Sequence, residues 1–141
     1  MTEPRQFRLL YVEDSPADTE FVRLAFKRVA SDTQLDVVDS GEKALALLRS
    51  PKPLPDMVLL DLKMPGMDGH EVLTAIKSDP RLHAVPVIIL TSSRLEEDIA
   101  RAYQVGANCY LPKPDDALGY QATATEVHKF WMRTALLPKG A

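Results

Sequence analysis

Five short apolar runs alternate with five helical patterns along this chain, and that alternation limits the fold more than any other feature of the sequence. The runs cover residues 7–12, 35–39, 57–60, 85–90 and 109–111. Most are almost continuously apolar, as expected for strands that are covered on both faces. Strict alternation predicts an α/β, doubly wound parallel sheet with five helices. One reversal of winding then places the first and third strands side by side, at a switch point where such folds bind ligands.

The helical patterns carry recognisable start signals and apolar stripes. Ser15 is a good N-cap for the first helix, and Asp18 suits the positive end of that helix. In the fourth helix, expected over residues 95–105, the spacing predicts that Tyr103 points inward. The fifth helix is expected from about residue 117 to residue 136. We expect the three histidines at the surface: His70, His83 and His128.

Composition and charge narrow the possible function classes. The chain has 141 residues, 45% of them hydrophobic and 26% charged, as in a globular protein with one core. Its net charge of −3 argues against a general nucleic-acid binder, which needs a basic face. The single cysteine, Cys109, cannot form an internal disulfide, and no apolar run approaches the roughly 20 residues that span a bilayer. We expect residues 1–141 to form one cytoplasmic domain without an output domain.

Polar side chains follow four of the five predicted strands, where each strand ends. Glu13 and Asp14 come after the first strand, Asp61 after the third, Thr91 after the fourth and Lys113 after the fifth. Because the carboxyl ends of parallel strands share one edge of the sheet, these five groups should line one cleft. Each of these residues alone could instead have an ordinary structural role, as a helix cap, a turn residue or a solvated surface lysine. Their joint position makes coincidence a poor explanation.

Three acids packed together repel one another and should bind a cation. Carboxylate oxygens are hard ligands that suit Mg²⁺, and His or Cys ligands at zinc-site spacing are missing from the sequence. Beside such a cation an aspartate can attack a phosphoryl group, and a lysine can neutralise the developing charge. An Asp-x-Asp phosphohydrolase of the haloacid-dehalogenase type also uses an aspartate after a strand. The place of its second acid is taken here by Lys63, which argues against that reading.

At these positions the chain resembles the receiver domains of bacterial response regulators. The resemblance covers nearly the whole sequence and is carried by the Glu13–Asp14 pair and by residues 61–69, 90–93 and 106–114, in order and at the right distances. It implies the flavodoxin-like receiver fold with strand order 2-1-3-4-5. It also implies that Asp61 is the phosphoacceptor. Mg²⁺ would then be bound by Asp14 and Asp61 directly, by Glu13 through water and by the backbone carbonyl of Lys63.

The resemblance assigns further roles around the acceptor. Lys113 would pair with the phosphoryl oxygens, and the Lys113–Pro114 peptide bond would be cis, as proline chemistry permits. Thr91 would move toward the phosphoryl group while Tyr110 turns inward, which is the usual coupling in this family. The chain would then be a switch rather than a dedicated enzyme, although it would catalyse its own phosphorylation and dephosphorylation.

The implied partners are proteins. A sensor histidine kinase would donate the phosphoryl group, and signalling would follow from phosphorylation-dependent protein–protein interaction. The chain is similar to the single-domain regulators that are paired with bacterial phytochrome kinases. This similarity is carried by residues 90–93, Asn108 and the Phe130–Trp131 pair. An exposed Phe130 could mark a homodimer surface on the last helix. The alternative function is a binding module that kept the fold without the phosphoryl chemistry.

Overall fold

The structure, a computed structural model, describes residues 6–138 and contains one five-stranded parallel sheet in the order β2-β1-β3-β4-β5. The strands are β1 (Arg8–Val12), β2 (Gln34–Val38), β3 (Met57–Leu60), β4 (Val87–Thr91) and β5 (Cys109–Pro112). The helices between and after them are α1 (Pro16–Val29), α2 (Gly41–Leu48), α3 (Gly69–Ser78), α4 (Glu96–Val105) and α5 (Ala117–Val127). The predicted fold class and strand order are confirmed.

The two faces of the sheet pack against different helices. Alternate residues of β1 show this: Leu9 and Tyr11 pack into a cluster with α1 and α5, whereas Leu10 and Val12 pack into one with α2, α3 and α4. The three central strands are buried on both faces, which explains their continuous apolar sequences. None of the helices in the described part of the chain is long and apolar enough to cross a membrane.

Side-chain caps fix where the helices begin. The Ser15 hydroxyl accepts a hydrogen bond from the backbone N–H of Asp18 at 3.2 Å, as the sequence predicted. Asp68 and Glu71 form a capping box at the start of α3. α1 begins shortly after β1, and the N–H of Gly69 at the start of α3 donates to the carbonyl of Leu62, just after β3. The first turns of both helices therefore lie at the edge of the sheet where the strands end.

The last helix differs from the prediction of one continuous α-helix to residue 136. α5 ends at Val127, and a π-helical segment, His128–Thr134, follows it. The wider turn lets two neighbours in sequence, Trp131 and Met132, both pack partly against the α1–α5 cluster. An apolar pattern read at 3.6 residues per turn cannot reveal such a change of pitch.

Two further expectations were wrong. Tyr103 points outward and is about half exposed, because its hydroxyl accepts a hydrogen bond from the backbone N–H of Tyr110 on the edge strand β5, at 3.1 Å. The Lys113–Pro114 peptide bond is trans, since the described residues contain no cis peptide bond. The two isomers of an X–Pro bond differ by only about 0.5–1 kcal/mol, so neighbouring residues decide between them.

Candidate functional site

Three acids meet at the carboxyl edge of the sheet, as the strand ends predicted. One carboxylate oxygen from each of Glu13, Asp14 and Asp61 lies within 4.8 Å of the others. The backbone fixes two of them, because the N–H of Asp61 donates to the carbonyl of Val12 at 3.1 Å and that of Glu13 to Val38 at 3.0 Å. Glu13 and Asp61 are almost fully buried, whereas Asp14 is exposed.

Lys113 reaches the same acids from the loop after β5. Its ammonium donates to Glu13 Oε1 at 2.9 Å and to Asp61 Oδ2 at 3.2 Å. Its shortest hydrogen bond, 2.7 Å, is to Asp18 Oδ2, in the first turn of α1. Sequence reasoning gave Asp18 only a role at the helix start. The signal that could have identified it is the position of that first turn, directly beside the strand ends.

The shared ammonium sets the electrostatics of this cluster. Burial, reinforced by the neighbouring Asp61, raises the pKa of Glu13 above its ordinary value. Burial acts to lower the pKa of Lys113, but hydrogen bonds to Asp18 and Glu13 outweigh it and raise that pKa. Burial of Asp18 is likewise outweighed by Lys113, which lowers the pKa of Asp18. The lysine is therefore a permanent cation in a pocket with more acids than bases.

The donor set fits a hard divalent cation. All three candidate ligands are carboxylates, and the buried Glu13 Oε2 has no hydrogen-bond partner among the described residues. An unpartnered buried carboxylate oxygen is costly unless a cation or water satisfies it. Lys63 also lies beside Asp61, because its backbone N–H donates to Asp61 Oδ1 at 3.3 Å. A metal here would be held by oxygen ligands from the ends of β1 and β3.

Thr91 and Tyr110, the two residues predicted to act as a switch, lie on β4 and β5. Thr91 ends β4 and is fully buried, and no described residue hydrogen-bonds its hydroxyl. Its backbone carbonyl accepts from the N–H of Lys113 at 2.8 Å, which ties β4 to the lysine. The Tyr110 hydroxyl donates to the backbone carbonyl of Ser93 at 2.9 Å. The hydroxyl of Thr91 thus has unused hydrogen-bonding capacity at the end of β4.

A second polar cluster, which the sequence did not indicate, surrounds Asp98 in the first turn of α4. Its carboxylate accepts from the Ser93 hydroxyl at 2.5 Å, contacts His70 Nε2 at 3.2 Å and pairs with the Lys63 ammonium at 3.3 Å. The hydroxyl of Ser93 is the main cause that lowers the pKa of Asp98 to about 2. His70 was expected at the surface but is buried, because this contact joins α3 to α4.

Gly69 begins α3 in close contact with the backbone of Asp61 and Leu62. A Cβ atom at this position would lie 2.2 Å from the carbonyl oxygen of Asp61 and 2.6 Å from Cα of Leu62. The N–H of Gly69 donates to the carbonyl of Leu62 at 3.0 Å. The absence of a side chain at Gly69 therefore lets α3 begin in direct contact with the peptide that follows Asp61.

Comparison with known proteins identifies the family. The model of the response regulator receiver domain matches residues 9–122, which include all four strand ends of the site. The chain belongs to this family. Receiver domains belong to two-component systems, in which a sensor histidine kinase is the partner and an aspartate takes the phosphoryl group. They bind a divalent metal and are generally signalling domains rather than enzymes.

Several individual receivers are similar over almost the full length. Response regulator Rcp1 of Synechocystis sp. PCC 6803 is 36% identical over 135 residues, which are 92% of each chain. FilR2, named as a methanogenesis regulatory protein of Methanothrix harundinacea, is 39% identical over 130 residues, 89% of this chain and 84% of that one.

Solved structures agree with the sequence relatives. The crystal structure of RcpA, a phosphorylated cyanobacterial phytochrome response regulator, has a TM-score of 0.91 at 34% identity, covering 96% of this chain and all of that one. The Mn²⁺-bound form of Rcp1 has a TM-score of 0.85 at 36% identity, covering 93% of this chain and 98% of that one.

Proposed function

We propose that this receiver takes a phosphoryl group onto Asp61 and signals through a change in its protein interactions. The observation that carries the proposal is the environment of Asp61. Its carboxylate is almost fully buried, lies within 4.8 Å of two further acids and accepts a hydrogen bond from Lys113 at 3.2 Å. A buried nucleophile beside a permanent cation and a hard metal-binding set is what phosphoryl transfer to a carboxylate needs.

The transfer itself is a displacement at phosphorus. A carboxylate oxygen of Asp61 attacks the phosphorus atom of a phosphohistidine on the kinase, and a P–O bond forms as the P–N bond breaks. The electron pair of the broken bond leaves with the imidazole. Lys113 holds positive charge beside the transferred oxygens. Mg²⁺, held by Glu13, Asp14, Asp61 and the carbonyl of Lys63, would supply further positive charge at the same oxygens.

Signal output would begin at the fourth strand. A phosphoryl group adds strong hydrogen-bond acceptors at the site, and the buried Thr91 hydroxyl is a donor without a described partner. Movement of Thr91 toward those oxygens would shift the following segment, where the carbonyl of Ser93 accepts from the Tyr110 hydroxyl. Coupling of a local charge change to a two-state segment is a general form of switching.

The cognate kinase is proposed from the relatives. RcpA is described as a phytochrome response regulator, and by extension the kinase that phosphorylates this chain is a bacterial phytochrome kinase.

The last turns of the chain carry an exposed Phe130, with 53% of its surface accessible. An exposed aromatic side chain next to the partly buried Trp131 supports a homodimer surface on this helix.

Intact mass after incubation with acetyl phosphate tests the acceptor. With Mg²⁺ the parent should gain one phosphoryl group, and Asp61→Asn should gain none. Asp14→Asn, which keeps the acceptor but removes one exposed ligand, should require a higher Mg²⁺ concentration for the same yield. An adduct on Asp61→Asn equal to that of the parent would place the phosphoryl group elsewhere. No adduct on folded parent protein would favour the phosphorylation-independent binding module.

A further inference from the structure

Both carboxylate oxygens of Asp18 accept hydrogen bonds from residues outside its own helix, α1. Oδ2 accepts from the Lys113 ammonium at 2.7 Å, and Oδ1 accepts from the Tyr120 hydroxyl at 3.3 Å. These donors come from the loop after β5 and from α5, so a first-turn acid of α1 connects three segments. The Asp18 carboxylate is thus committed to the functional site.

Packing holds this carboxylate in place. Tyr120 is buried, and its ring stacks on Phe21 with centroids 5.0 Å apart and an interplanar angle of 4°. Phe21 lies three residues after Asp18 on the same helix. The tyrosine that donates to Asp18 is therefore itself fixed against α1, and α1 and α5 pack closely along the sheet. The carboxylate reaches Lys113 from a rigid support.

Asp18 differs in kind from the other partners of Lys113. Glu13 and Asp61 belong to the group of acids whose oxygens lie within 4.8 Å of one another, and Asp18 lies outside that group. It nevertheless makes the shortest hydrogen bond to the ammonium, 2.7 Å against 2.9 Å and 3.2 Å. One lysine is thus shared between the phosphoacceptor site and an acid with no place in the metal-binding set.

We infer that Asp18 is a positioning residue that competes with the phosphoryl oxygens for Lys113. The inference rests on the proposed role of Asp61 as acceptor. A phosphoryl group on Asp61 brings additional negative charge and three strong acceptors to the same ammonium. Every hydrogen bond that Lys113 keeps with Asp18 is one fewer for those oxygens. Asp18 therefore limits the affinity of the site for a phosphoryl group.

Beryllofluoride, a tetrahedral anion that occupies a phosphoryl position on a carboxylate, measures this affinity at equilibrium. Titration calorimetry with Mg²⁺ present would compare the parent with Asp18→Asn. The Kd should fall about fivefold in the variant, the scale of one partly exposed charge pair. Glu20→Gln is the matched control, because it removes one acid from the same helix. Among the described residues, the Glu20 carboxylate forms an ion pair only with Arg23, at 4.0 Å. Its Kd should stay within about twofold of the parent.

Asp18→Glu keeps the charge and should stay near the parent value. A gain in anion affinity cannot come from a damaged fold, and unfolding midpoints of all variants would verify their integrity. Unchanged or weaker binding by Asp18→Asn would overturn the inference, as would an equal gain in Glu20→Gln, which would indicate bulk charge. If the parent binds no beryllofluoride, the proposed acceptor role fails first and this inference with it.

Discussion

Replacing Gly69 with alanine tests how closely the acceptor depends on the start of α3. The added Cβ would lie 2.2 Å from the Asp61 carbonyl oxygen, 2.6 Å from Cα of Leu62 and 2.9 Å from the carbonyl carbon of Asp61. All three are backbone atoms, so no side-chain rotation relieves the contact. Either α3 or the peptide after Asp61 has to move by about 1 Å to restore van der Waals separation.

The expected cost follows from that geometry. Inserting a methyl group into a well-packed site costs about 1–3 kcal/mol, and a contact made only with backbone belongs at the upper end. We therefore expect Gly69→Ala to lower the free energy of unfolding by about 2–3 kcal/mol in urea denaturation followed by circular dichroism. Because the displaced peptide belongs to the acceptor, the initial rate of phosphorylation by acetyl phosphate should also fall.

Gly66→Ala, in the loop that leads into α3, provides the matched control. Gly66 has φ of 72°, so alanine is strained there, but its Cβ would meet only Oε1 of Glu42, at 3.4 Å. The left-handed conformation alone should cost about 1–2 kcal/mol and leave the acceptor peptide in place. If Gly69→Ala destabilises no more than Gly66→Ala and keeps the parent phosphorylation rate, the backbone contact does not position Asp61.

Two more predictions concern polar contacts outside the acceptor. The Lys77 ammonium donates to two backbone carbonyls and to an amide oxygen, so Lys77→Met should cost about 1–2 kcal/mol of unfolding free energy. Lys43→Met, which removes an exposed ion pair, should cost under about 0.5 kcal/mol. Equal costs for the two variants would refute this prediction. Asp98→Asn should destabilise the chain relative to Glu97→Gln. Since the folded-state pKa of Asp98 is lowered from 3.8 to about 2, this difference should be constant above about pH 4 and shrink as the pH falls toward 2; a pH-independent difference would contradict the assignment.

Much of the fold and of the acceptor site was predictable because both depend on short-range patterns. Continuous apolar runs identified the buried strands, and parallel geometry brought Glu13, Asp14, Asp61 and Lys113 to one edge. No side-chain coordinates are needed for that inference. It requires only that strands run in the same direction and that polar residues follow them.

What the sequence did not predict depends on packing between distant elements. Asp18 looked like a charge at a helix start, and its contact with Lys113 appears only when α1 lies beside the loop that follows β5. His70 is buried because Asp98, 28 residues later, supplies a partner. Tyr103 faces outward to reach an edge strand, although its spacing favoured the core. In each case the position of the side chain depends on a polar contact between two elements, which a local sequence pattern does not show.

The wide sequence separation within the site has a consequence for synthesis of the protein. Lys113 lies 100 residues from Glu13 and 52 from Asp61. The acids therefore leave the ribosome well before the cation that neutralises them, and chains fold from the N-terminus as they emerge. Until β5 and the following loop are added, the acidic pocket is repulsive and has no lysine for a phosphoryl group. A nascent chain that lacks this loop therefore cannot form the complete site, because its buried acids have no lysine partner.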